Sequence, residues 1–314
     1  MATQVFNAEY LLMNAIRSVG EISVMCGVTA ACIIFEEDFE SYEQEIFAAS
    51  TKMTDFFTCD ANSIGDGYIK VKKDGEENRY LHSYVFTEVH NTTPIVGAYE
   101  FSLDVLDAKG SYSSGVFVRG VKMKAAFYES DGHPHASMSQ TGLLIYPRPD
   151  ELRVNVKTYD ESWDENAAYL QNNVQSFALP NGVTYPYNLR VSDSGSDISI
   201  FVNDTLVCRI ALSSPGKTYE KHESEVGYFG SATVYDDKGG ELASYADTLL
   251  CSDNALFGWA TRSSEMRVDH VRVKVGSVQK TILEIEKIPA QIHAGNVQTA
   301  KELVATALYD SWRR

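Results

Sequence analysis

The chain has 314 residues, 44% of them apolar, enough for a continuous core in one large β domain or two ordinary ones, which excludes a disordered polypeptide. Against 27 Lys and Arg stand 43 Asp and Glu, a formal net charge of -16 with no basic block, so a nucleic-acid backbone is repelled over most of the surface. The five cysteines, Cys26, Cys32, Cys59, Cys208 and Cys251, form no C-x-x-C pair and are odd in number, which excludes a zinc ribbon and a fully paired disulfide framework.

Residues 4–18 (QVFNAEYLLMNAIRS) place Val5, Ala8, Leu12 and Ile16 near helical spacing, with Gly20 as a stop, and predict a short amphipathic helix. Residues 22–35 (ISVMCGVTAACIIF) have the apolarity of a signal-peptide core. Glu21 abuts the run, however, and Arg17 is the one basic residue before it. The run is also too short to span a bilayer, so no membrane span is expected. It reads instead as a long buried strand rich in β-branched residues, with Gly27 as a bulge, and it sets off residues 1–34 as an extension.

From Tyr80 to Val275 short apolar segments recur: 99–105, 115–119, 122–128, 142–146, 152–158, 187–191, 198–202, 206–210, 226–232 and 257–260. Turn chemistry separates them at 107–110, 130–132, 147–149, 192–195 and 203–204, each carrying Gly, Pro, Asn or Asp. Many short strands with such punctuation predict an all-β, two-sheet antiparallel jelly-roll sandwich, one domain over residues 35–280. Two polar, aromatic-bearing segments, 159–181 and 213–225, read as loops inserted between strands, where sandwich proteins carry specificity.

The closing strand, 266–275 (MRVDHVRVKV), contains one residue that breaks its pattern. Alternation places Asp269 on the face of Val271, Val273 and Val275, with His270, Arg272 and Lys274 on the solvated face. An inward carboxylate needs a cationic partner, backbone donors or a metal ion. Beyond this strand, residues 281–314 form a tail in which Ala300, Leu303, Val304, Ala307 and Leu308 predict a terminal amphipathic helix over 297–312.

Several segments, in this order, carry a resemblance. Residues 35–41 (FEEDFES) look like a first-strand signature; 114–120 (SGVFVRG), 188–191 (NLRV), 198–204 (ISIFVND), 227–230 (GYFG) and 266–273 (MRVDHVRV) follow. Together they resemble the concanavalin A-like lectin/glucanase superfamily, including its laminin-G-like and keto-disaccharide-hydrolase-like branches. The resemblance implies a jelly roll of two packed sheets, one concave, over residues 35–275. The helix-plus-strand start and the helical tail lie outside that minimal fold. The resemblance also implies a structural Ca2+ held by Asp269, with Asp38 or a carbonyl of residues 36–40 as partner. The residues alone leave a salt bridge from Asp269 to an arginine such as Arg267 or Arg119 as the alternative.

Glycosidases that use two carboxylates hold them about 5 to 10 Å apart, which a strand supplies by acids two residues apart on one face. No E-x-D-x-x-E run stands on a central strand, and Glu284-Ile285-Glu286 lies beyond the last one, so no catalytic residue is assigned. Gln291-Ile292-His293 and residues 262–267 echo lyase motifs in reversed order and are read as coincidence. His133 and His135 form an H-x-H pair on a turn, without a third ligand nearby. Trp163, Tyr146, Tyr169 and Tyr185 could stack on sugar rings, or fill sandwich corners as buried aromatics. Arg119 shares strand parity with Phe117 and reaches either a groove floor or an inward acid such as Asp269.

The expectation drawn from these residues is a lectin-like, non-catalytic carbohydrate-binding protein, extracellular or on a particle surface. Its partner is a glycan, bound at Trp163, Tyr146, Arg119, His133 and His135. Two alternatives accompany it. One is a structural jelly-roll subunit of a filament, capsid or appendage, a homo-oligomer assembled through its termini. The other is a divergent glycan hydrolase or lyase. Fold alone decides among none of them.

Overall fold

A computed structural model of the chain describes residues 31–40, 45–47, 51–52, 56–59, 62–65, 68–72, 86–91, 95, 97–110, 114–121, 141–162, 170–219, 226–253, 256–262 and 264–276. The chain divides into two compact units. Residues 35–273 form the sandwich. Residues 1–34 and 274–314 form the other unit, of which 31–34 and 274–276 are described as strand. The expected helices at 4–18 and 297–312, the apolar run up to residue 30 and the segment 122–132 lie outside the described residues, as do Trp163, Tyr169, His133 and His135.

Two antiparallel sheets make up the fold, as the punctuated short strands predict. The larger runs, edge to edge, through β17 (Glu241–Ala246), β16 (Ser231–Asp236), β15 (Thr205–Ser213), β14 (Asp197–Val202), β13 (Tyr187–Asp193), β8 (Tyr99–Gly110), β19 (Ser264–Gly276), β6 (Tyr68–Lys72), β5 (Asn62–Gly65) and β2 (Glu45–Phe47), and β1 (Ala31–Glu37) also pairs β19. The smaller runs through β12 (Leu170–Ala178), β11 (Glu151–Tyr159), β10 (Leu143–Pro147), β9 (Ser114–Gly120), β18 (Leu256–Arg262), β7 (Phe86–Asn91), β4 (Phe57–Cys59) and β3 (Thr51–Lys52). Among the described residues the one helical element is a 3-10 turn at Pro180–Gly182, and no helix is long and apolar enough to cross a membrane.

Alternation explains how the sheets face each other. In β13, Tyr187, Leu189, Val191 and Asp193 are buried and the residues between them half-exposed; β14 buries Ile198, Ile200 and Val202 in the same way. From the smaller sheet Val116, Val118, Leu143, Ile145, Val154 and Val156 supply the facing layer. An aromatic group of Phe57, Phe101, Phe257 and Trp259 packs with ring centroids 4.9 to 6.3 Å apart. The thiols of Cys208 and Cys251 are buried, and burial pushes them up to about 12 and about 11, as befits small core hydrophobes.

Three sequence expectations need correction, and one strand went unread. Segment 159–181 is not all loop: residues 170–178 form β12, paired with β11 without interruption from Glu151↔Ala178 to Tyr159↔Leu170. Its polar composition hid it: only Leu170 and Phe177 near its ends are buried, and an edge strand open to water between them needs no apolar alternation. β17 was hidden for the same reason, its residues being mostly exposed. The turn expected at 107–110 is strand, since β8 runs on to Gly110. The alternation of β19 is not continuous either. Met266 and Val268 are buried, and so are Val271, Val273 and Val275, so the inward parity switches at Asp269–His270, where His270 takes φ 47.

A strap of extended chain, residues 247–253, closes one end of the sandwich. Tyr159 N donates to Asp247 O, Leu249 N to Lys157 O, Gly142 N to Leu249 O and Cys251 N to Arg119 O, tying it to β11, β10 and β9. On its other side Asp247 N donates to Gly230 O and Phe229 N to Leu250 O. Leu249 and Cys251 of the strap pack with Tyr219, Tyr228, Val121 and Leu170 as a separate apolar cluster.

Candidate functional site

Strand register defines the outer face of the smaller sheet, the one turned away from the core. Directly opposed residues share a face, so one row runs across it: Val174 (β12), Asn155 (β11), Leu144 (β10), Phe117 (β9), Gly258 (β18) and His90 (β7). Neighbouring rows add Asn172 opposite Lys157, and Ser176 opposite Arg153, which in turn faces Tyr146. Gly258 is the notch in this row, because a Cβ there would fall 1.9 Å from Val89 O.

The face changes character along the row. Phe117, Leu144 and Ala260 form a buried apolar cluster against which Tyr146 and Leu256 pack. Asn155 and Lys157 are also buried, at 1% and 2% exposure. Toward β12 the face opens, and Arg153, Asn172, Val174 and Ser176 are exposed. Tyr146 stands at the step between floor and rim, half-buried.

A hydrogen-bonded chain crosses that step. Asn155 Nδ2 donates to Tyr146 Oη at 3.3 Å and to Asn172 Oδ1 at 2.7 Å, while Asn155 Oδ1 accepts from Asn173 N at 3.0 Å. Asn173 Nδ2 continues it to Val156 O and Thr158 Oγ1. Amides held this way present fixed donors and acceptors beside an aromatic ring, the combination that matches a sugar's hydroxyls and its apolar ring face. Arg153 binds Glu151, whose carboxyl is held below its ordinary value chiefly by that hydrogen bond.

Arg119, expected on the groove floor or on an inward acid, takes the second course, but its acid is Asp193 and not Asp269. A φ of 59 at Arg119 breaks the parity that it was expected to share with Phe117 and turns it inward. Nε and Nη2 bond Asp193 Oδ2 and Oδ1, each at 2.6 Å, Nη1 donates to Cys251 O at 3.3 Å, and the guanidinium lies 5.4 Å from the Phe229 ring centroid. Burial alone would lower the Arg119 pKa, but its bonds to Asp193 outweigh it and the pKa is raised.

Asp269 is inward at 9% exposure, yet neither arginine expected to pair with it does so. Arg267 forms a bidentate pair with Asp107, because the switch in parity aims it across to β8. Asp269 is met by its neighbour instead. Its Oδ1 accepts from His270 N at 2.6 Å, and its Oδ2 lies 3.0 Å from His270 Nδ1, which is 3.3 Å from Asp104 Oδ2. Asp38 Oδ1 accepts from Glu40 N at 3.2 Å, a local turn bond. Among the described residues no three His, Cys, Asp or Glu side chains gather.

Tyr185 fills a corner: it stacks on Tyr187 at 5.2 Å and donates to Pro147 O. The residues that sequence reasoning missed are Asn155, Lys157 and Asn172. The first two were legible, since Arg153, Asn155 and Lys157 alternate with Val154 and Val156. Asn172 was lost with β12.

No family model and no curated protein matches the sequence. Among solved structures the chain is similar to an endo-β-1,3-glucanase from Pyrococcus furiosus, at 11% identity and a TM-score of 0.42 over 79% of this chain and 95% of that one. It is similar to a laminarinase from Rhodothermus marinus, at 10% identity and a TM-score of 0.43 over 79% and 99%. A carbohydrate-binding module from Bacillus subtilis is 8% identical with a TM-score of 0.33 over 79% and 96%. At these identities the likeness is one of fold.

Proposed function

We propose that the outer face of the smaller sheet binds a glycan, with Tyr146 as the stacking ring, Asn172 and Arg153 as its polar rim, and the buried Asn155 holding Tyr146 and Asn172 from beneath. The observation that carries this reading is the bonded chain Tyr146–Asn155–Asn172, which fixes the Asn172 amide beside a half-buried ring where the sheet face opens toward β12. A glycan partner accords with presentation outside the cell or on a particle surface.

A glycan array identifies the ligand and calorimetry measures it. Tyr146→Ala is expected to weaken binding by about 1 to 3 kcal/mol through loss of the ring. Tyr146→Phe, which keeps the ring and removes the hydroxyl, is expected to lose less. Binding undiminished in Tyr146→Ala places the glycan elsewhere, and no binding to any glycan by the folded protein favours the structural-subunit reading. The proposal is one of binding; new reducing ends released from the bound glycan would add degradation to it.

A further inference from the structure

Two strands end their sheets on the same side of the sandwich. β12 ends the smaller sheet and β17 the larger, and Gln175 Nε2 donates to Tyr245 Oη at 2.7 Å between them. An edge strand presents backbone N–H and C=O groups to any chain that can pair with it, and proteins blunt such edges with charge, proline, bulges or short length. β17 has three of these devices: six residues, Glu241 at its start and a register shift at Val234/Tyr235. β12 has none. Its nine residues (LQNNVQSFA) include no charge and no proline, its register with β11 is unbroken, and Gln171, Asn172, Val174, Ser176 and Ala178 are exposed. Of the three exposed large apolar side chains among the described residues, Val174 and Leu242, each 48% exposed, lie on these two edge strands.

We infer that β12 pairs antiparallel with β12 of a second copy of this chain, centred on Val174, so that the two smaller sheets run on as one. Two copies with a net charge of -16 repel each other, and they can approach only where the touching segment is neutral; β12 is such a segment. Reversal about Val174 sets Asn173 opposite Gln175, Asn172 opposite Ser176 and Leu170 opposite Ala178. Gln171 falls opposite Phe177, and no like charges meet. Val174 then covers Val174, and the contact is its own complement, as a two-fold interface requires. The inference stands independently of glycan binding.

Sedimentation of the full chain over a concentration series is expected to show a monomer–dimer equilibrium. Val174→Lys and Val174→Glu each place like charges opposite one another and are expected to weaken dimerisation about ten-fold or more. An equimolar mixture of the two variants is expected to dimerise again, a result that misfolding cannot give. A monomer at every concentration overturns the inference. So does a dimer indifferent to Val174→Lys, including one abolished only by deleting residues 1–34.

Discussion

Arg119 and Asp193 neutralise each other where neither has water, and the pair holds strands of opposite sheets together. Removing one partner leaves a buried charge uncompensated, so Arg119→Met or Asp193→Asn is expected to cost about 3 to 5 kcal/mol in urea unfolding, and the double replacement by apolar residues much less than the sum. Tyr99 lies beside the pair, and burial, reinforced by the Asp193 charge, holds its hydroxyl well above the ordinary phenol range. Asp269 offers a test of opposite sign. Burial raises its carboxyl, the His270 N–H and His270 ring oppose that, and Asp104 and Glu40 add to it. The native state therefore binds the proton more tightly than the unfolded chain does, and stability attributable to this group falls as pH rises through the window from its unfolded to its raised native pKa. Asp269→Asn keeps an acceptor for His270 N and is expected to remove that fall, measured as melting midpoint against pH. With His270 as the partner, excess EDTA at constant pH leaves the wild-type midpoint unchanged; a drop would reveal a cation bound to the native state, as the resemblance implies.

At the scale of elements, legibility followed burial. β13, β14 and β15 bury one side against the core and their sequences alternate accordingly, while β9, β10 and most of β11 are buried on both faces; the positions of all six were readable to within three residues. β12 and β17 stand at the sheet margins, where only Leu170 and Phe177 are buried and no apolar alternation records a core. The same contrast governs the candidate site. The ring of Tyr146 and the alternation of β11 were visible, but the exposed strand that completes the rim was not. On the far face of the larger sheet the alternation leaves a different signature: Arg190 lies 3.8 Å from the Phe201 ring centroid and Arg209 4.6 Å from that of Tyr235, cross-strand pairs that cover aromatic rings with charge. Single φ values were the least legible feature. The left-handed residues Arg119 and His270 each redirect an ionic partner, and neither is a glycine that would have announced the turn.

For the molecule as a whole, the strap of residues 247–253 has a kinetic meaning. Sheets of a sandwich can part or fray separately, but here the strap shares backbone bonds with β9, β10 and β11 on one side and with residues 227–230 on the other. Neither side can open without breaking bonds to the strap, so the sandwich is expected to unfold as one cooperative unit. Amide exchange measured by NMR should then find Leu249 and Cys251, outside any long strand, as slow as the central amides of β10 and β13; fast exchange at either would mean that the strap opens by itself. The thiol of Cys251, fully buried within that strap, turns into a clock: under native conditions a thiol reagent can label it only as fast as the whole molecule comes apart.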